Sequence, residues 1–254
     1  MDPFLKFGSA TSDRNKMVSV ERGTAAARLS FPTELLNSVT FKQSVETLHA
    51  SVSMLTLAAG KAVETLNENG WNERAPGDVK AMLRPAYRAV VQAGTDRARE
   101  LENQRASLIA MRKVDPAVAA EIRQMLRSLK VGEAMGAALN RPDVAAAAVQ
   151  AWHLTGLPDN LRPQVEDALI RANLADQFAA QGPNFQVRPT VSDPLAHGPD
   201  RAAVERQADL AMSGQKASQN EIKMVGELLS NAANFVAVAA GISAEASHEL
   251  LTAA

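Results

Sequence analysis

PAYRAVVQAGTDRARELENQRASLIAMRKVDPAVAAEIRQMLRSLK, residues 85–130, decides how the rest of the chain is read. Leu83, Tyr87, Val90, Gly94, Ala98, Leu101 and Leu108 are apolar or small and fall at helical intervals, which puts them along one side of a helix. Asp115-Pro116 stops that pattern. Asp115 can cap a following helix through its carboxylate, and Pro116 suits the first helical position because its missing N–H is not needed there. Val118, Ile122, Met125 and Leu129 then resume the 3.6-residue period. The spacing predicts a helical hairpin with its first helix over about residues 86–113. Arg105 sits on the apolar stripe, where snorkelling at the core edge is expected in preference to a buried pair with a carboxylate.

Upstream, Thr40-Phe41-Lys42-Gln43 has capping-box spacing. Val45, Leu48, Val52, Leu55, Ala59, Ala62 and Leu66 follow at intervals of three and four, predicting a helix over 41–69 that stops at Gly70. Pro76-Gly77 is expected to break the chain. Residues 1–37 read as an irregular arm in which only Met17-Val18-Ser19-Val20 suggests a short extended piece. Its apolar content, including Phe4, Leu5, Phe7, Leu29 and Phe31, exceeds that of a solvated tail.

Downstream, shorter helices begin at Pro116, Pro142 and Pro163; their unequal spacing argues for an irregular bundle rather than a repeat array. Gly182 to Pro199 is a long loop with four prolines, in which Phe185, Val187, Pro189 and Val191 alternate with polar residues. That alternation predicts an extended segment with one apolar face. Asp200 caps a helix to Met212, Ser218-x-x-Glu221 opens another through Val236, and Ser243 caps a terminal helix. The fold class expected is all-α: an irregular multi-helix bundle with a long central helical hairpin, an extended N-terminal arm and a long Pro-rich loop. The division expected is an arm (1–37), a main bundle (38–181), the loop (182–199) and C-terminal helices on the bundle (200–254).

The 47 alanines, against 4% aromatic residues, favour close-packed helices with little area buried per residue, so contacts with neighbouring subunits are an expected source of stability. The absence of Cys excludes disulfides, thiolate metal sites and cysteine nucleophiles. No segment has the apolar length of a secretory signal or a membrane span, so the expectation is a soluble, unsecreted chain. The net charge of −1 hides an asymmetry, since residues 77–130 carry 11 basic and 6 acidic side chains and residues 131–254 carry 8 and 14.

No nucleophile elbow, phosphate-binding loop or zinc motif occurs. Two Glu-x-x-His spacings, Glu46/His49 and Glu245/His248, match the pattern of di-metal carboxylate bundles. The first lies off the apolar stripe and the second in a short terminal helix, so no metal or other cofactor is expected. Arg123, Arg127 and Lys130 share one face, as phosphate contact would need, but acidic residues interrupt that surface and no aromatics are interleaved to stack on bases. His153, beside Trp152, and His197 have no evident catalytic partners.

Ala-rich helices, no Cys, few aromatics and extended arms together resemble the composition of structural proteins of bacteriophage particles. That resemblance implies a virion component, located in the cytoplasm or within a virus particle. The function expected is non-enzymatic: a structural, assembly subunit docking on copies of itself or other proteins. Phe185, Val187 and Val191 are its expected contact residues. A nucleic-acid-associated helical protein using the basic 77–130 hairpin, with Arg123, Arg127 and Lys130, is the alternative, and a di-metal carboxylate enzyme comes third.

Overall fold

The computed structural model describes residues 4–181 and 183–253. Met1, Asp2 and Pro3 of the expected arm, Gly182 of the expected loop and Ala254 lie outside the described residues. The chain is 72% helical. In order it forms β1 (Lys6–Thr11), β2 (Asn15–Arg22), β3 (Ala25–Pro32), α1 (Thr33–Leu36), α2 (Lys42–Thr65), α3 (Glu68–Met82), α4 (Arg84–Ala110), α5 (Pro116–Ser128), α6 (Val131–Asn140), α7 (Pro142–Gln150), α8 (Arg162–Ala180), α9 (Arg201–Ala240) and α10 (Ala244–Thr252). Two compact units divide it: unit 1 comprises residues 1–100 and 218–254, and unit 2 residues 101–217.

Unit 1 corrects the expectation of an irregular arm. Residues 6–32 form an antiparallel meander in the order β1-β2-β3, with Phe7 opposite Val20 and Val18 opposite Leu29. Gly23, at φ +56°, supplies the left-handed backbone needed at the tight β2–β3 turn. Val18, Val20, Leu29 and Phe31 alternate onto one face and are buried with the apolar stripe of α2. Full burial of each such side chain is worth about 1.5–3 kcal/mol, which holds this segment in the core.

α2 begins one residue later than expected and without Thr40 as its cap. Ser38 Oγ accepts from the N–H groups of Thr40 and Phe41 instead. The helix ends at Thr65, before Gly70, because Asn67 turns the chain and caps α3 by accepting from Gly70 N at 2.9 Å. Pro76 and Gly77 lie inside α3, against the expected break. Burial of Trp71, Ala75 and Val79 on one face outweighs the lost backbone bond, and Trp71 Nε1 donates to Ala239 O of α9 at 2.7 Å. On α4, Leu83, Tyr87 and Val90 are buried as the period requires, and a Cβ on Gly94 would meet Val225 at 3.2 Å. The helix expected to end near Met212 and the one expected to start at Ser218 are a single helix, α9. No proline interrupts it, and Ser218 Oγ accepts from Arg97 Nη2 at 2.9 Å rather than capping a new start. Ser243 does cap α10, through Ala246 N.

Unit 2 contains α5 to α8. Asp115 caps α5 as expected, its carboxylate accepting from Ala117 N and Val118 N, with Pro116 in the first turn. Val144 to Ala148 of α7 are all buried, so this helix has almost no solvent face; only side chains this small let neighbouring backbones close around it. Arg105 does not snorkel: its Nη2 donates to Asp167 of α8 at 2.8 Å, with both side chains largely shielded. Arg112, just beyond α4, fans out to Asn173 Oδ1 (3.1 Å), Asp143 Oδ1 (2.9 Å) and the Asp176 carboxylate. Asn173 in turn donates to Leu108 O at 2.8 Å. One guanidinium therefore ties together the end of α4, the start of α7 and the middle of α8. Arg171 reaches Asp209 through Nε and Nη2, and that hydrogen bonding holds the Asp209 carboxyl below its ordinary range.

Candidate interaction surfaces

The 183–200 segment is not a free-running loop. A 3-10 turn at Pro183–Phe185 leads into a narrow irregular hairpin. Val187 N donates to Gly198 O at 2.8 Å, Asp200 N donates to Phe185 O at 2.7 Å, and Gln186 stands opposite Pro199. At the far end Thr190 N donates to Asp193 O, closing a turn.

The three residues expected to act together here are separated by depth. Phe185 is half-buried at the root, its ring 5.5 Å from Phe178 of α8. Val187 is 39% exposed, and Val191 at the tip is fully exposed. Leu195, which the alternation did not single out, is 82% exposed beside the same turn. The hairpin thus has an anchored base and an apolar tip in solvent. The turn at Thr190–Asp193 carries the chain past Pro194 to Leu195, a placement fixed by pairing across the hairpin rather than by local pattern.

Arg123 and Arg127 are occupied within unit 2. Arg123 Nη1 donates to Ala147 O at 3.0 Å, and Arg127 Nε donates to Leu154 O at 2.6 Å. These carbonyls lie at the ends of α7 and of the 3-10 turn Trp152–Leu154, where a cation is favoured by the exposed carbonyl dipoles. Lys130 is exposed just before α6, where Glu133 Oε2 accepts from its backbone N–H at 3.3 Å.

Glu46 and His49 lie on α2, and Glu245 and His248 on α10. His49 packs edge-on against Phe31, with ring centroids 4.8 Å apart. Burial, with a smaller push from Lys16, lowers its pKa from the ordinary imidazole value. Among the described residues no three His, Cys, Asp or Glu side chains gather as a metal site would require. No single described helix is long and apolar enough to cross a membrane.

Two grooves flank the exposed side of α2. One, of about 1250 Å³, lies between Phe4–Phe7 and the last three turns of α2; the other, of about 510 Å³, lies between Met54, Leu57 and Arg74 of α3. Leu57 and Lys61 border both grooves and form the ridge between them. No family model, curated protein or solved structure matches this chain.

Proposed function

We propose that this chain is a non-enzymatic structural subunit that docks on copies of itself or on other proteins. The observation that carries the reading is the 186–200 hairpin, which holds Val191 and Leu195 in solvent on an anchored base. An apolar tip gains nothing in water, whereas covering it on a neighbour is worth about 1.5–3 kcal/mol per side chain. A paired and anchored hairpin also loses less entropy on docking than a free tail. The Ala-rich, Cys-free composition supports placement of the subunit in an assembly of many copies such as a bacteriophage particle. The nucleic-acid reading is weaker, because Arg123 and Arg127 already serve carbonyls of their own unit.

Replacing residues 187–197 with a Gly/Ser linker of equal length tests the reading while leaving Phe185 on Phe178. The expected product is a folded chain whose assemblies are smaller than those of the wild type, or which no longer binds its partner. Unchanged assembly would remove the hairpin from the account.

A further inference from the structure

α2 carries two stripes. Val45, Leu48, Val52, Leu55, Ala59 and Ala62 face the core of unit 1. On the nearly opposite side Thr47, Ala50, Met54, Leu57 and Lys61 recur at intervals of three and four, the spacing of a helix–helix seam. Every member of this second stripe is exposed, Leu57 by 68% and Met54 by 53%. A solvent-facing ridge has no need of adjacent Met and Leu at seam spacing.

The charges around the ridge indicate what covers it. Lys42, Glu46, Lys61 and Glu64 are exposed and make no ion pair among the described residues, although other exposed charges on α3, α4 and α9 do. When a helix packs antiparallel on a copy of itself, residues equidistant from one central point are brought together. Glu46 and Lys61 straddle the point between Ser53 and Met54, and Lys42 and Glu64 straddle Ser53. A single two-fold axis therefore sets Glu46 beside Lys61 of the second copy and Lys42 beside Glu64, each contact made twice. The same axis puts Met54 at the centre and Leu57 against Ala50, a large side chain facing a small one. It also brings the exposed Val39, just before α2, toward the end of the groove bordered by Leu66 and Asn67. Gly60 lies open beside the seam and adds no side chain to hold the helices apart.

We infer that α2 is a homodimer interface, packing antiparallel on α2 of a second copy about a two-fold axis at Ser53–Met54. This rests on the assembly reading and names one of its contacts; being isologous, it closes on itself.

The chain has no Cys, so Met54→Cys introduces a single thiol at the axis. Under mild oxidation the full chain should form a covalent dimer, whereas Leu139→Cys, at an exposed position on α6, should cross-link far less. Sedimentation across a concentration series should show Leu57→Glu raising the dimer dissociation constant at least about tenfold. Lys61→Glu should weaken the dimer, and adding Glu46→Lys should restore it, a rescue that loss of folding cannot produce. All variants are checked for wild-type circular dichroism. A wild-type oligomer that Leu57→Glu does not weaken, and in which Met54→Cys does not cross-link, overturns this interface but leaves the assembly reading standing. A wild-type chain that stays monomeric yet captures a different protein overturns it as well, and keeps only docking on other proteins.

Discussion

Arg112→Ala tests the account of unit 2 most sharply. The side chain is mostly shielded and reaches three partners on two helices. Asn173 is only 2% exposed, and without Arg112 its Oδ1 is left buried with no donor, a cost of about 1–3 kcal/mol. Asp143 and Asp176 are about two-thirds exposed, so water replaces the guanidinium there, and each pair contributes only about 0.2–1 kcal/mol. The expected total is roughly 2–4 kcal/mol, dominated by the buried amide rather than by the ion pairs. Arg112→Lys should recover little, because an ammonium cannot fork to three acceptors. Hydrogen exchange read by mass spectrometry localises the effect: amides of α7 and α8 should lose protection, while those of α2 and α3 should not. A loss below about 0.5 kcal/mol, the scale of an ordinary surface substitution, would mean that Asn173 does not depend on Arg112. So would a loss abolished by about 1 M salt, which screens exposed pairs but not a buried amide bond.

Gly241→Ala should destabilise unit 1 by about 1–2 kcal/mol, since the residue sits at φ +67° and a Cβ would collide with the Arg22 guanidinium; Arg22→Ala in the same chain should recover part of the loss in urea unfolding. Protonation of His49 is disfavoured in the folded state, so the unfolded chain binds more protons near the free imidazole value of about 6.5. Stability should therefore fall as pH drops below that value and level off below the lowered folded pKa. His49→Phe should remove that part of the pH dependence, and an unchanged profile would disprove it. Asp115→Ala removes the α5 cap and should cost about 1 kcal/mol, measured by thermal unfolding; Asp115→Asn should cost much less.

The two helices α4 and α5, and the stop between them, are legible in the sequence because their signals are local: one apolar period, one capping carboxylate and one proline. The sheet is not. β3 reads AAARLSFP, whose first half favours helix, and β1 is built largely from Gly, Ser, Ala and Thr; only pairing with β2 makes strands of them. Pro76 misled for a similar reason, since burial of Trp71 and Val79 outweighs a lost backbone bond that sequence displays plainly. Among the surfaces, the alternation from Phe185 to Val191 points to an extended segment, but the bonds at Gly198 and Asp200 that make it a hairpin join residues 11 and 15 apart. The period that sets Arg123, Arg127 and Lys130 on one face reaches only the first two, because α5 ends at Ser128 and Lys130 falls beyond it. The carbonyl partners of Arg123 and Arg127, at Ala147 and Leu154, come from the packing of other elements, which periodicity does not encode.

The mass of the chain under native conditions decides whether it is an assembly subunit. Such a subunit should give species at multiples of the 27.0 kDa chain, or a chain carrying a bound partner, growing in proportion as concentration rises. A single species of 27.0 kDa at every concentration, with nothing co-purifying, would contradict it.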